Sequence, residues 1–263
     1  GSGASFLLRP KWIAFHLLVF TAVVAMIALS FWQLRRLDER QAFNALVTQQ
    51  IDQPPTPLGQ LLVEAGNDPR SIEWRQTVVT GTFLAEQVIW FNRSQDGVAG
   101  DNVLSALVAD NADTVVINRG FVALGDDVPA APVGELQILA RVRFPPERQR
   151  GELTDAIDRS EPLAEVRRID LDQLADQLPG NVAPVYLDLI DSIPSVRPTD
   201  PVPVPPPTLD EGPHLSYAVQ WFIFATCVAV GWVLAIRRSL TSRRRAALKD
   251  ATTWPASEDS APQ

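Results

Sequence analysis

Residues His214 to Arg238 read HLSYAVQWFIFATCVAVGWVLAIRR, and the interior of that stretch decides the architecture. From Ser216 to Ile236 there are 21 residues without a charge. At ~1.5 Å of rise per residue they make a helix of about 31 Å, enough to cross a hydrocarbon core of ~30 Å. The C-terminal flank carries Arg237, Arg238, Arg243, Arg244, Arg245 and Lys249, whereas the N-terminal flank carries Asp210 and Glu211. The positive-inside bias therefore places residues 237–263, a basic tail, in the cytoplasm and the chain just before His214 outside.

A second span lies near the start. Trp12 to Leu34, WIAFHLLVFTAVVAMIALSFWQL, is 23 residues of mostly apolar sequence. It exceeds the ~7–15 apolar residues of a signal peptide and is expected to stay as an anchor. Arg35, Arg36 and Arg40 follow it, so its own flanks do not orient it. With two spans both termini share a side, which makes residues 1–11 cytoplasmic and exports residues 35–213. Trp12, Trp32, Trp221 and Trp232 lie near the ends of the spans, where indole rings prefer the interface. Small residues supply close helix contact: Thr21 with Ala25, Ala25 facing Ala229, and Cys227 with Gly231. His16, one turn inside the membrane, is expected to be neutral and hydrogen-bonded to the neighbouring helix.

The exported middle is acidic. Between residues 35 and 213 there are 15 Arg, no Lys and 28 Asp or Glu, a net charge of −13. Nucleic acid is not the expected partner, since it needs a basic surface. Arg outnumbers Lys 21 to 2, which points to a GC-rich bacterial genome. The same span contains no His and no Cys. That excludes Ser-His-Asp and Cys-His catalysis, the usual zinc sites, disulfides and covalent haem attachment. No phosphate-binding glycine loop occurs, and no catalytic or metal-ligating set stands out, so the chain is not expected to be an enzyme. Cys227, the lone cysteine, reads as a small packing residue.

Within residues 35–192, Arg35 to Gln50 continues the first helix outward until Pro54, Pro55 and Pro57 stop it. Thr56 to Ala65 predicts a short helix capped by Thr56 with Pro57 in its first position. Trp74–Phe83, Gln87–Arg93, Val103–Ala109, Thr114–Leu124, Glu135–Phe144 and Val182–Ile190 are β-branched and aromatic-rich and predict strands, with Gly81, Gly120 and Gly134 as bulges or turns. Asp170–Leu178 predicts a helix. The fold class is thus a membrane protein of α+β type, two transmembrane helices (12–34 and 214–236) flanking an exported, mainly antiparallel, barrel-like β domain with short helices. Residues 193–213 hold eight prolines and predict an extended spacer.

His214, Tyr217 and Trp221 fall at i, i+3 and i+7, on one face of the helix start. Two readings stay open on spacing alone: an interfacial aromatic belt with a tolerated histidine, or a functional cluster.

Three motifs, in this order across most of the chain, resemble the Surfeit-locus family of cytochrome c oxidase assembly proteins, in its bacterial, actinobacterial form. Ser30 to Arg36, SFWQLRR, is similar to the family's G-x-W-Q-x-x-R through Trp32, Gln33 and Arg36, with Ser30 in place of glycine. Ile117 to Phe121, INRGF, is similar to V-N-R-G-W through Asn118, Arg119 and Gly120. His214 to Phe222 is similar to N-H-x-x-Y-x-x-x-W through His214, Tyr217 and Trp221, with Pro213 where asparagine is common. The resemblance implies a two-pass protein of the bacterial plasma membrane that helps to mature the aa3-type oxidase by assisting transfer of haem a to subunit I. It implies His214 as a transient haem ligand with Tyr217 and Trp221 beside it. For Trp32, Gln33, Arg36, Asn118, Arg119 and Gly120 it implies structural or partner roles. Two alternatives remain: a persistent accessory subunit of the oxidase or of a respiratory supercomplex, without haem handling, and an exported binding or sensing module.

Overall fold

The structure is a computed structural model that describes residues 9–110, 112–145, 164–195 and 200–252. In chain order its elements are α1 (Pro10–Ile51), β1 (Thr56–Pro57), α2 (Leu58–Ala65), β2 (Gln76–Gln95), β3 (Val98–Ala109), β4 (Thr114–Ala123), β5 (Glu135–Arg143), β6 (Glu165–Val166), α3 (Leu171–Ala175), β7 (Val182–Ile193) and α4 (His214–Thr252). They form two units, Gly1–Asn44 with Leu209–Gln263, and Ala45–Thr208.

The first unit is an antiparallel helix pair. Both α1 and α4 are long and apolar enough to span a membrane, and almost none of their apolar surface is buried within the protein. The chain is a membrane protein. On α1 the more buried side chains are Trp12, His16, Val19, Val23, Met26, Ser30, Gln33 and Leu37; on α4 they include His214, Ala218, Trp221, Ala225, Val228 and Trp232. Steps of three and four alternate along both helices, the spacing of a seam in which one helix's side chains fill gaps in the other.

The seam differs from the small-residue pairs expected from sequence. Thr21, Ala25, Cys227 and Gly231 are exposed, and Ala229 lies at the flank of the seam. The small residues that permit close approach are Ser30, Ala218 and Ala225. Composition alone does not say which of several small-residue lines faces inward; the polar ties at the two ends of the pair set the rotation. Helix α1 runs on to Ile51, and α4 continues through the basic segment to Thr252, because Arg, Ala and Leu favour helix once a span has nucleated it.

In the second unit β2, β3, β4, β7 and β5 are hydrogen-bonded in that order, and β5 pairs back with β2 to close a five-stranded barrel of Greek-key type. Residues Gln76–Thr82 of β2 pair with β5 and Gly81–Gln95 with β3. A register shift between Phe83 and Gln87 bends β2 where a turn between two strands was expected. The pairing is not all antiparallel: β4 and β7 run parallel, with α3 in the crossover before β7. β1 and β6 add short parallel edges to β2.

Alternation divides each strand between two cores. Leu107, Ile117, Ile138, Val142, Val185 and Leu187 fill the barrel, and Leu61 and Ala65 of α2 close over them. Trp90, Leu104, Val116 and Tyr186 point the other way and are covered by Val166, Ile169, Leu171 and Leu174. Each such side chain stabilises the fold by ~1.5–3 kcal/mol on burial. Helix α2 starts at Leu58 with Pro57 as its N-cap and no side-chain cap, so Thr56 is not the expected cap; it lies in β1 and accepts a hydrogen bond from Arg75. Asp170 does cap α3, accepting from the Gln173 N–H at 3.3 Å.

The proline-rich segment is not a free spacer. Ile193 still belongs to β7, and residues 200–203 return to the barrel, where Val202 and Phe121 exchange both backbone hydrogen bonds at 2.7 and 2.9 Å. Proline density predicts extension; the docking depends on two non-proline residues, Asp200 and Val202. Residues 1–8, 111, 146–163, 196–199 and 253–263 lie outside the described residues, so the first part of the expected N-terminus and the end of the basic tail are among them.

Candidate functional site

At one end of the helix pair α4 starts on His214 and is tied to α1 by polar side chains. His214 Nδ1 lies 2.9 Å from Gln33 Oε1. Gln41 donates to Glu211 Oε1 at 3.0 Å, and Asn44 donates to the Leu209 carbonyl at 3.1 Å. Pro213 is compatible with this start: its carbonyl accepts from the Ser216 hydroxyl at 2.8 Å and from the Tyr217 N–H at 3.1 Å.

The Gln33 contact sets the chemistry of the ring. An amide oxygen only accepts, so Nδ1 donates its proton to Gln33, and the tautomer that fits this contact has its lone pair on Nε2. Among the described residues Nε2 has no hydrogen-bond partner. A half-buried ring with its donor nitrogen held by a second residue and its acceptor nitrogen open is the usual state of a metal-binding histidine.

The two aromatic neighbours separate. Trp221 lies in the seam like His214, with its ring edge-on to Phe224 at 6.0 Å, whereas Tyr217 is 47% exposed on the flank. The i, i+3, i+7 spacing puts them within one broad face, but the second helix covers only its centre. The SFWQLRR motif separates in the same way. Gln33 faces α4; Trp32 is 47% exposed, and Arg36 is on the surface with Glu39 at 2.7 Å.

At the other end of the pair His16 is in the opposite state. Trp232 donates its indole N–H to His16 Nδ1 at 2.9 Å, which occupies the lone pair and leaves the proton on Nε2. Trp12, Phe15 and Trp232 surround the ring at 5.6–5.9 Å between centroids. His16 is thus hydrogen-bonded to the neighbouring helix, as expected from its position. Seventeen residues of α1 separate it from Gln33, about 26 Å of helix at ~1.5 Å per residue.

In the barrel the INRGF motif is a clasp. Arg119, only 2% exposed, donates to Gln87 Oε1 at 3.2 Å and to the Pro129 and Ala130 carbonyls at 3.1 and 3.2 Å, and pairs with Asp200 at 3.5 Å. One planar guanidinium therefore joins β2, the loop before β5 and the returning proline-rich segment. Gly120 has φ of +132°, and a Cβ there would come within 2.2 Å of the Val202 carbonyl oxygen. Glycine is required because the segment crosses directly above it. Asn118 donates to Asp188 Oδ1 at 2.8 Å and accepts from the Gly120 N–H at 3.3 Å.

Asp188 leads to a buried polar cluster that the sequence reading missed. It faces Arg143 at 3.8 Å and stands opposite Arg141 in the β5–β7 register. Arg143 also lies 3.7 Å above the Trp74 ring and pairs with Glu73 at 3.5 Å. Burial pushes the Asp188 carboxyl above its ordinary value, against the pull of Arg143, the Asn118 hydrogen bond and Arg141. Burial likewise lowers Arg141 and, with the Asp188 charge, raises Tyr186. The available signal was the alternation in ELQILARVR, which puts Arg141 and Arg143 on the same side of β5. Among the described residues no group of three metal-ligating side chains occurs.

The sequence model of the SURF1 family matches residues 20–226. An uncharacterized SURF1-like protein of Mycobacterium bovis is 31% identical over 248 residues, covering 92% of this chain and 89% of the relative. Uncharacterized SURF1-like proteins of two Mycobacterium tuberculosis strains match with the same identity and coverage.

Proposed function

The chain belongs to the SURF1 family, and from that premise we infer that it is an assembly factor for the aa3-type cytochrome c oxidase that holds haem a for subunit I. The observation that carries this reading is the Gln33–His214 pair. It joins two sequence-distant motifs and leaves one imidazole nitrogen that would ligate the haem iron. Haem is the cargo, and the residues present fit it. His214 Nε2 supplies the single protein ligand, Trp221 and Phe222 supply apolar contact, and Arg35, Arg36 and Arg40 within two turns of Gln33 supply cations for its carboxylates. A single neutral ligand suits a carrier, because a partner offering a second imidazole binds the iron more strongly and takes the haem.

The topology follows the same reading. Both termini lie in the cytoplasm, the barrel lies outside, and His214 stands at the outer interface of the plasma membrane. The barrel, without His or Cys, binds protein surfaces on the exported side and performs no reaction.

The test is purification of the full chain from native membranes in mild detergent, with optical spectra and quantitation of oxidase subunits. A haem a spectrum lost in His214→Ala, with substoichiometric immature subunit I, is the expected result. Equimolar recovery with active oxidase and no haem on the protein would mean a resident subunit instead.

A further inference from the structure

The barrel has a cleft at one mouth that the helix-pair site does not use. Its volume is about 560 Å³, and its floor is apolar, formed by Leu58 and Leu62 of α2 with Val79 and Val115 of the barrel. That size is ordinary for a small-molecule site, and barrel mouths are common places for one. At the rim stand two carboxylates, Asp110 and Asp113, on the turn between β3 and β4. Asp113 Oδ1 accepts from Asn181 Nδ2 at 3.3 Å, which anchors that turn to the start of β7. Among the described residues lining the cleft none carries a positive charge.

Gly59 is the second observation. It is the second residue of α2, and a Cβ there would find no atom within 4 Å. Glycine in a helix is destabilising by ~1 kcal/mol relative to alanine. No crowding requires it at this position, and because Gly59 is itself part of the cleft lining, a larger side chain there would take up space at the opening. The residue keeps the opening clear.

We propose that this cleft binds a small organic cation: an apolar body seated on Leu58, Leu62, Val79 and Val115, with a protonated amine between Asp110 and Asp113. The lining contains no imidazole, thiol or thioether, so it offers haem no soft or nitrogen ligand, and its rim repels carboxylates. The net charge of −13 over residues 35–213 raises the local concentration of cations, which favours the same class. The proposal does not depend on haem binding.

Adamantan-1-amine is the probe, titrated against the full chain in phosphatidylcholine nanodiscs, with empty nanodiscs subtracted and adamantan-1-ol as the neutral control. Saturable one-site binding of the amine is expected, weaker by about fivefold or more for the alcohol and for the surface variant Asp110→Asn. Gly59→Leu should abolish binding, and its melting temperature, equal to or above that of the unsubstituted chain, shows that the fold is kept. His214→Ala should leave the amine titration unchanged. No saturation, equal binding of the alcohol or of adamantane-1-carboxylate, or an unchanged Kd in Gly59→Leu would overturn the proposal. So would occupancy by an arginine-bearing apolar peptide where the amine does not bind, which would assign the cleft to a protein partner.

Discussion

Gln33 Oε1 and His214 Nδ1, 181 residues apart in the chain, are 2.9 Å apart in space. The contact unites the end of one membrane helix with the start of the other and assigns the imidazole proton. A second-residue partner of this kind fixes the orientation of a ligand ring.

Gln33→Ala is therefore expected to weaken haem a binding by roughly 10–100-fold while leaving His214 in place. Gln33→Glu, which still accepts from Nδ1–H, should restore most of it. Optical titration of the reconstituted full chain reads both, and equal affinity in Gln33→Ala would deny Gln33 a positioning role.

Trp232→Phe should leave that titration untouched. It removes the indole donor from His16 Nδ1 in the membrane, where such hydrogen bonds are worth about 0.6–2 kcal/mol. A small loss of stability to denaturing detergent, with an unchanged haem spectrum, is the expected pair of results.

Gly120→Ala should release the proline-rich segment. The added Cβ meets the Val202 carbonyl, and the positive φ disfavours any other residue, for a combined cost of about 2–5 kcal/mol. Faster proteolysis between residues 200 and 208 and a lower melting temperature are the readouts.

Arg119→Lys keeps the charge but not the fork. A single ammonium cannot reach Gln87, Pro129, Ala130 and Asp200 together, and unsatisfied buried groups cost ~1–3 kcal/mol. Thermal unfolding should report a loss in that range, and a neutral outcome would remove the clasp from the account of the fold.

Asp188 makes stability depend on pH. Its folded pKa is raised, so between the ordinary carboxylate value and the raised one the folded state binds more protons than the unfolded state. Stability then falls as pH rises through that window and levels off above it. Asp188→Asn, which keeps an acceptor for Asn118, should flatten this dependence in melting temperatures measured across the window.

The two spans were legible because 21 uncharged residues in a row, and 23 mostly apolar ones, make helices long and apolar enough to cross a membrane. Most strands were legible from β-branched composition, and so was barrel-like closure. Their pairing was not: β4 and β7 run parallel because a closed ring of five strands cannot alternate direction at every neighbour, a fact of topology rather than of composition. The break expected in β2 at residues 84–86 is a bulge, since barrel curvature needs a bend without a reversal.

By itself, then, the amino-acid sequence determined the helix–barrel–helix order, the absence of His and Cys from the middle, and the short set of residues worth watching. These depend on local periodicity and on composition. Which faces meet was decided only by the tertiary structure. It turned Gln33 inward while Trp32 and Arg36 stayed on the surface, it separated Tyr217 from Trp221, and it brought Asp200 and Val202 back to Arg119 and Phe121. The physical reason is common to all of these. A side chain's partner is fixed by helix rotation and strand register, and both are set by contacts between residues far apart in the chain.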